Sequence, residues 1–280
     1  MAGASPRSIY RSAAGEERIR SWCVAVLGAW AVPHECVTVT AHGARTHVVI
    51  AGSGPTVVFV PGTNFNAAAS VPLATALVAA GYRVVLPDVP GQPGLSSGER
   101  GLAEGRLSWY GAWLGRVVEE TCSGAVTVLG HSFGAAIALA ADSPRLGRLV
   151  LVSPGGLSGL RLTPGMLAAS AAWFVHPTGS SSARLLRCML APGRLPRPAL
   201  VEWMTLVARH SRSSGAPGVA ELPARAVERL VVTGEYDVFL PPRRLGPAVR
   251  DRLGVALGVV PGAGHLVVEE CTGQVVDLLG

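Results

Sequence analysis

The sequence predicts an α/β protein with a mostly parallel sheet and a helical insertion. Short apolar runs rich in valine alternate with helical segments along most of the chain, and this alternation is typical of parallel sheets. Between residues 156 and 222 the strand pattern is replaced by helical pieces separated by prolines. We therefore expect a core formed by residues 35–155 and 223–280, with residues 156–222 inserted as a helical lid.

Residues 1–34 precede this core and are predicted to contain a tail and a helix. Residues 16–31 have a helical composition and are followed by Pro33, which ends a helix. The apolar run 22–32 is about half the length needed to span a bilayer, and an acidic pair before it disfavours a secretory signal. We expect this helix to dock on the domain, with a signal peptide or a membrane-surface anchor as the alternatives.

The core elements follow in chain order. Two β-branched runs around residues 42–44 predict an opening antiparallel hairpin. The later strands are short apolar runs, as expected for strands buried on both faces of a sheet. Predicted strands cover residues 36–40, 46–51, 56–60, 82–86, 125–129, 149–152, 230–233 and 255–260. Predicted helices of the core cover residues 67–80, 102–122, 135–141, 243–253 and 266–279.

The motif Gly130-His131-Ser132-Phe133-Gly134 connects a predicted strand to a predicted helix. A G-x-S-x-G motif at such a junction holds the serine in a strained turn, with its hydroxyl above the edge of the sheet. The two glycines allow strand and helix backbones to approach closely. We therefore predict that Ser132 is a nucleophile, with the N-terminus of the following helix directed at any oxyanion formed there.

A serine hydroxyl needs a base before it can act as a nucleophile. Parallel strands place their carboxyl ends at one edge of a sheet, and Asp237 and His265 each come shortly after a predicted strand. The order Ser132, Asp237, His265 is also the chain order that accompanies a G-x-S-x-G turn between a strand and a helix. We predict His265 as the general base and Asp237 as the acid that orients it, with Glu235 as the alternative acid. Asp88, which also follows a strand, is expected to organise its own loop.

An oxyanion requires backbone N–H donors. Phe133, directly after the serine, is predicted to supply one of them. The second is expected from the loop after the strand at residues 56–60, where Thr63 fits best and Asn64 is the alternative.

Taken together, these motifs resemble the α/β-hydrolase superfamily over about residues 35–280, and in particular bacterial carboxylesterase-like members with a helical cap. The resemblance implies an α/β-hydrolase fold with an eight-stranded sheet whose second strand is antiparallel, and a hydrolase without a cofactor. Pro61 departs from the pattern of many members, which have histidine before the glycine. The matching segments are Pro61-Gly62-Thr63, Asp88-Val89-Pro90-Gly91, Gly130 to Gly134, Gly234-Glu235-Tyr236-Asp237 and Gly262-Ala263-Gly264-His265.

From these residues we expect a serine hydrolase that cleaves an ester or thioester of a small substrate through an acyl-enzyme on Ser132. In the insertion, Trp173, Phe174 and the leucines are more numerous than the charged residues, which favours a mainly apolar substrate. A lactonase, a C–C bond hydrolase or an acyl transferase would use the same three residues. A ligand receptor without catalytic activity is the alternative from a different class.

The composition limits the partners of the chain. Its net charge of +6 arises from scattered arginines without any lysine, so nucleic-acid binding is not expected. Five cysteines without close spacing predict neither disulfides nor a metal site, and indicate a reducing compartment. We expect a small-molecule substrate, no cofactor, no metal and no stable membrane insertion. A cytoplasmic location follows, with secretion as the alternative, and the sequence makes no prediction of the oligomeric state.

Overall fold

The computed structural model describes residues 8–99, 105–212 and 218–280. Parts of the predicted helix 102–122 and of the predicted insertion 156–222 lie outside these ranges. Within them, the strands are β1 (His34–Ala41), β2 (Ala44–Ala51), β3 (Thr56–Val60), β4 (Arg83–Pro87), β5 (Val126–His131), β6 (Leu146–Val152), β7 (Glu228–Gly234) and β8 (Leu257–Val260). The helices are α1 (Ala13–Gly28), α2 (Val71–Ala79), α3 (Arg106–Thr121), α4 (Phe133–Ala140), α5 (Pro164–Val175), α6 (Gly179–Met189), α7 (Pro198–His210), α8 (Pro242–Leu253), α9 (Val267–Glu270) and α10 (Thr272–Asp277).

The eight described strands form one sheet in the order β1-β2-β4-β3-β5-β6-β7-β8. Strands β1 and β2 form the predicted hairpin, and its turn residues His42 and Gly43 have φ angles of 45° and 78°. Two successive positive φ angles are those of the type I′ turn, which matches the twist of a hairpin. Strand β2 is antiparallel to both neighbours, whereas β3 to β8 pair in parallel. The architecture implied by the sequence is therefore confirmed.

The central strands are apolar throughout because both faces of the sheet are covered. In β3, Val57 and Phe59 belong to one hydrophobic cluster, while Val58 and Val60 belong to the other. This alternation is the two-residue period of a strand. One cluster includes side chains of α1, α2 and the inserted helices, and the other includes those of α3, α4 and α8. Helices thus cover both faces of the sheet, whereas the edge formed by the carboxyl ends of the parallel strands is available for a site.

Helix α1 packs its apolar side on the protein. The hydroxyl of Ser12 caps the helix by accepting the N–H of Gly15, and Ile19, Cys23 and Leu27 are buried. None of the described helices is both long enough and apolar enough to cross a membrane.

Helices α5, α6 and α7 lie between β6 and β7, in the stretch where the strand pattern is interrupted. Two prolines of this stretch begin helices. Pro164 and Pro198 occupy the first helical position of α5 and α7, where a missing N–H costs nothing. Thr178 caps α6 through a capping box with Ser181. Pro164 and Pro198, which separate helical pieces in the sequence, thus mark the starts of helices.

The single C-terminal helix predicted for residues 266–279 is wrong in one respect, because the structure has two short helices there. Cys271, between α9 and α10, has φ −134° and ψ 47°, outside the helical region. The flanking valines and Thr272 have low helix propensity. In addition, the carboxylate of Glu270 accepts the N–H groups of Ala191 and Gly264 at 2.6 and 2.8 Å. These tertiary contacts hold the end of α9 in place where a continuous helix was expected.

The burial of α1 gives a test of its contribution to stability. Ile19 is fully buried, and we expect Ile19→Ala to lower the free energy of unfolding by about 2–5 kcal/mol, as for other large-to-small core substitutions. Val24, on the same helix, is 60% exposed, so Val24→Ala should change it by less than about 0.5 kcal/mol. Urea denaturation of both variants measures the difference. Equal losses would show that α1 is not packed in this way.

Candidate active site

The backbone of Ser132 is strained at the junction between β5 and α4. Its φ of 53° and ψ of −108° lie in a region that non-glycine residues rarely occupy. A Cβ atom on Gly134 would lie 1.9 Å from the carbonyl oxygen of Val60, and one on Gly130 would lie 2.6 Å from Cα of Ala135. Both glycines of the G-x-S-x-G motif are therefore required by the close approach of α4 to β3 and β5.

Ser132, His265 and Asp237 form a continuous hydrogen-bonded chain. The Nε2 atom of His265 lies 2.9 Å from Oγ of Ser132, and its Nδ1 lies 2.9 Å from Oδ2 of Asp237. A carboxylate only accepts hydrogen bonds, so Nδ1 carries the proton and Nε2 is left to accept the serine hydroxyl. The structure thus brings together the three residues that the sequence singled out.

The carboxylate of Asp237 is 2% exposed and fully hydrogen-bonded. Its Oδ1 accepts the N–H groups of Phe239 and Leu240 at 2.9 and 2.8 Å, and the hydroxyl of Thr233 donates to Oδ2 at 3.0 Å. Burial alone would raise the pKa of Asp237, but the neighbouring His265 and these donors outweigh it and hold the pKa well below its usual range. Asp237 is therefore a carboxylate at physiological pH.

Two other carboxylates considered from the sequence have different partners. The alternative acid, Glu235, is exposed and accepts the N–H of Gly262 at 3.0 Å. Asp88 accepts the N–H groups of Ala67 and Leu95 at 2.8 and 2.7 Å, so it organises the loop after β4 as expected.

Three hydrogen bonds hold the backbone around His265. Its N–H donates to the carbonyl of Met189 at 2.7 Å, and its carbonyl lies 2.9 Å from Nε2 of His131. The preceding N–H, of Gly264, donates to Glu270 at 2.8 Å. Met189 and Glu270 belong to no motif, and because they act on backbone atoms the sequence pattern gave no indication of their role.

The side chain of His131 is buried beneath the site. Burial, followed by the proximity of His265, lowers the pKa of His131 to about 3. The imidazole is consequently neutral at physiological pH. Because its Nε2 faces a carbonyl oxygen, that nitrogen carries the proton and donates to the backbone of His265.

The loop after β3 lies directly beside the serine. A Cβ atom on Gly62 would lie 3.4 Å from Cβ of Ser132. The N–H of Asn64 donates to Oε1 of Gln92 at 2.9 Å, which leaves the N–H of Thr63, rather than that of Asn64, available to a ligand. Within the described residues, neither the Thr63 nor the Phe133 N–H has a hydrogen-bond acceptor.

A cavity of about 210 Å³ opens at Ser132 beneath the inserted helices. Its lining is mainly apolar, and the described lining residues include no arginine, aspartate or glutamate. The described part of the chain contains no group of three or more His, Cys, Asp or Glu residues placed to hold a metal ion. The lining residues are Gly62, Thr63, Asn64, Phe65, His131, Ser132, Leu160, Met166, Ser170, Trp173, Phe174, Leu185, Met189, Met204, Phe239, His265 and Leu266.

The sequence matches the alpha/beta hydrolase family over residues 57–278. Over 123 residues it is 39% identical to the 2-hydroxy-6-oxononadienedioate/2-hydroxy-6-oxononatrienedioate hydrolase of Cupriavidus pinatubonensis (strain JMP 134 / LMG 1197), covering 41% of this chain and 38% of the relative. The match therefore spans about two-fifths of the length of that curated relative.

Two solved structures illustrate the similarity of fold. The carboxylesterase CesB of Bacillus subtilis superposes with a TM-score of 0.77 and 18% identity, over 95% of this chain and 97% of that protein. The meta-cleavage product hydrolase of Pseudomonas fluorescens IP01 superposes with a TM-score of 0.63 and 22% identity, over 87% and 95% of the two chains.

The low pKa of His131 predicts a pH-dependent contribution to stability. Its pKa is lower in the folded than in the unfolded chain, so the contribution is complete above about pH 6.5 and is lost as the pH falls. His131→Gln does not titrate. The free energy of unfolding of the parent, measured relative to that of the variant, should therefore fall by about 1.4 kcal/mol for each pH unit below about 6.5. Urea denaturation at pH 7 and pH 5 measures it, and an unchanged difference would contradict the burial of a neutral imidazole.

Proposed function

The chain belongs to the alpha/beta hydrolase family, and on that premise we propose that it is a serine hydrolase that cleaves small, mainly apolar carboxylic esters. The observation that carries this proposal is the pair of 2.9 Å contacts that connect Ser132 through His265 to the buried Asp237. A protein that only bound a ligand would need none of these three groups in this arrangement.

The proposed reaction proceeds through an acyl-enzyme. Oγ of Ser132 attacks the ester carbonyl carbon while Nε2 of His265 takes its proton. The protonated imidazole then gives this proton to the departing alcohol, which leaves the acyl group on Ser132. Water, deprotonated by His265, attacks the acyl-enzyme, and the acid is released as the serine regains its proton. Asp237 holds the imidazole in the required tautomer and stabilises its charged form.

The oxyanion of each tetrahedral intermediate would be stabilised by the N–H groups of Thr63 and Phe133. Thr63 is supported over Asn64, whose N–H is already bound to Gln92. The Phe133 N–H lies at the N-terminus of α4, where the helix dipole adds to its effect. Removing one such donor elsewhere has raised reaction barriers by roughly 3–4 kcal/mol.

The cavity supports a small acyl group. Its volume of about 210 Å³ is below the range of roughly 300–1,000 Å³ found for drug-sized ligands. Met166, Met189 and Met204, three of the four methionines of the chain, contribute to the lining. Methionine adapts to different shapes, so several related acyl groups should fit. We propose that residues 156–222 act as the cap that encloses this group.

A C–C bond hydrolase is the second candidate, because the Cupriavidus relative is 39% identical over its matched region. The substrates in the name of that relative are dioates, which carry two carboxylates. Enclosing an unpaired carboxylate in an apolar site is costly. The described lining of this cavity contains no arginine and the chain no lysine, which favours an uncharged ester.

A pair of esters that differ in one charged group tests the proposal. We expect kcat/KM for p-nitrophenyl butyrate to exceed that for mono-p-nitrophenyl succinate by about 100-fold or more, since roughly 3 kcal/mol is lost on enclosing the carboxylate. Ser132→Ala should lower kcat for the butyrate by at least about 10³-fold. Equal or faster cleavage of the succinate, or faster cleavage of a 2-hydroxy-6-oxo dienoate than of the butyrate, would contradict the proposal.

A further inference from the structure

The turn that carries Thr63 is held from two sides at its next residue, Asn64. The turn is closed by the Phe65 N–H, which donates to the Gly62 carbonyl at 3.1 Å. Asn64 occupies its third position with a φ of 68°, as a type II turn requires. Glycine is favoured at that position because a side chain with positive φ is strained, so Asn64 needs support from its surroundings.

Gln92 and Trp203 supply that support. The Asn64 N–H donates to Oε1 of Gln92 at 2.9 Å, and the Asn64 carbonyl accepts Nε1–H of Trp203 at 2.8 Å. Gln92 is 2% exposed and Trp203 is fully buried. Both polar groups of the Asn64 backbone are therefore engaged, whereas the N–H of Thr63, a residue that lines the cavity, has no acceptor among the described residues.

Trp203 connects this turn to two other parts of the protein. It belongs to α7, in the helical insertion, and its ring stacks on Trp22 of α1 with a centroid distance of 4.7 Å and an interplanar angle of 32°. At the end of α7, Tyr10 and Ser211 form an antiparallel bridge, and Arg212 donates to the Tyr10 carbonyl at 2.9 Å. The N-terminal segment thus holds α7 in the position from which Trp203 reaches Asn64.

We propose that Trp203 is a positioning residue for the oxyanion donor Thr63, supported by Gln92 on the opposite side of Asn64. The proposal rests on the proposed function, since it assigns a task within the same reaction. The indole N–H holds the Asn64 carbonyl only while α7 is docked on the turn. Oxyanion stabilisation consequently depends on the packing of α7 against α1, although neither helix contributes a group to the reaction itself.

Trp203→Phe tests the proposal, because it removes the N–H and retains an aromatic ring against Trp22. Trp30→Phe is the matched control. Like Trp203, Trp30 is buried and its Nε1–H donates one hydrogen bond, to Oγ1 of Thr75 at 2.9 Å, but Trp30 does not line the cavity. With p-nitrophenyl butyrate, Trp203→Phe should lower kcat about 10-fold and leave KM within about twofold. Trp30→Phe should leave both constants unchanged.

A fluorophosphonate gives a second readout that does not depend on the choice of ester, because its phosphoryl oxygen occupies the same site as the oxyanion. The second-order rate of labelling should fall about 10-fold in Trp203→Phe and remain unchanged in Trp30→Phe. If Trp203→Phe does not fold, Gln92→Leu, which removes the acceptor of the Asn64 N–H, should show the same loss of kcat at unchanged KM.

Three results would overturn the proposal. They are equal effects of Trp203→Phe and Trp30→Phe, an increase in KM without a loss of kcat, and an unchanged labelling rate in Trp203→Phe. A parent protein that reacts with the fluorophosphonate but cleaves no ester would instead contradict the proposed ester hydrolysis, while the labelling rates would still decide the role of Trp203. A parent that does not react at all would contradict both.

Discussion

The left-handed backbone of Ser132, held between β5 and α4, is the constraint on which the rest of the site depends. Gly134 allows α4 to lie directly against Val60, the last residue of β3. The same contact brings Gly62, at the start of the turn after β3, beside Ser132, and Thr63 follows it in the lining of the cavity. One close crossing of strand and helix therefore positions the proposed nucleophile, the N-terminus of α4 and the proposed oxyanion donor. Any side chain at position 134 would displace all three.

The helical insertion contributes to the site through its backbone and one indole as well as through apolar side chains. The carbonyl of Met189, at the end of α6, accepts the N–H of His265. Nε1 of Trp203, on α7, donates to Asn64. The proposed base and the proposed oxyanion turn are thus each attached to a different inserted helix. We infer that the inserted helices α6 and α7 support the proposed catalytic residues, in addition to the proposed role of the insertion as a cap.

The sequence predicted those features that depend on local pattern and on the edge rule of parallel sheets. Apolar strands, the glycines around Ser132 and the polar residues after β7 and β8 were sufficient to place Ser132, Asp237 and His265 together. Gln92 and Trp203 were missed because each binds a backbone atom of Asn64, 28 and 139 residues away along the chain. The break at Cys271 was missed because the apolar pattern of residues 266–279 shows neither the low helix propensity of the residues around it nor the tertiary contacts of Glu270.

The central claim, that His265 activates Ser132 for covalent chemistry, is tested most directly by intact-mass measurement after exposure to a fluorophosphonate. The account predicts a single adduct on the parent protein, no adduct on Ser132→Ala and greatly slowed formation on His265→Ala. Circular dichroism establishes that both variants are folded. An adduct of equal extent on Ser132→Ala, or no adduct on the folded parent, would contradict the claim.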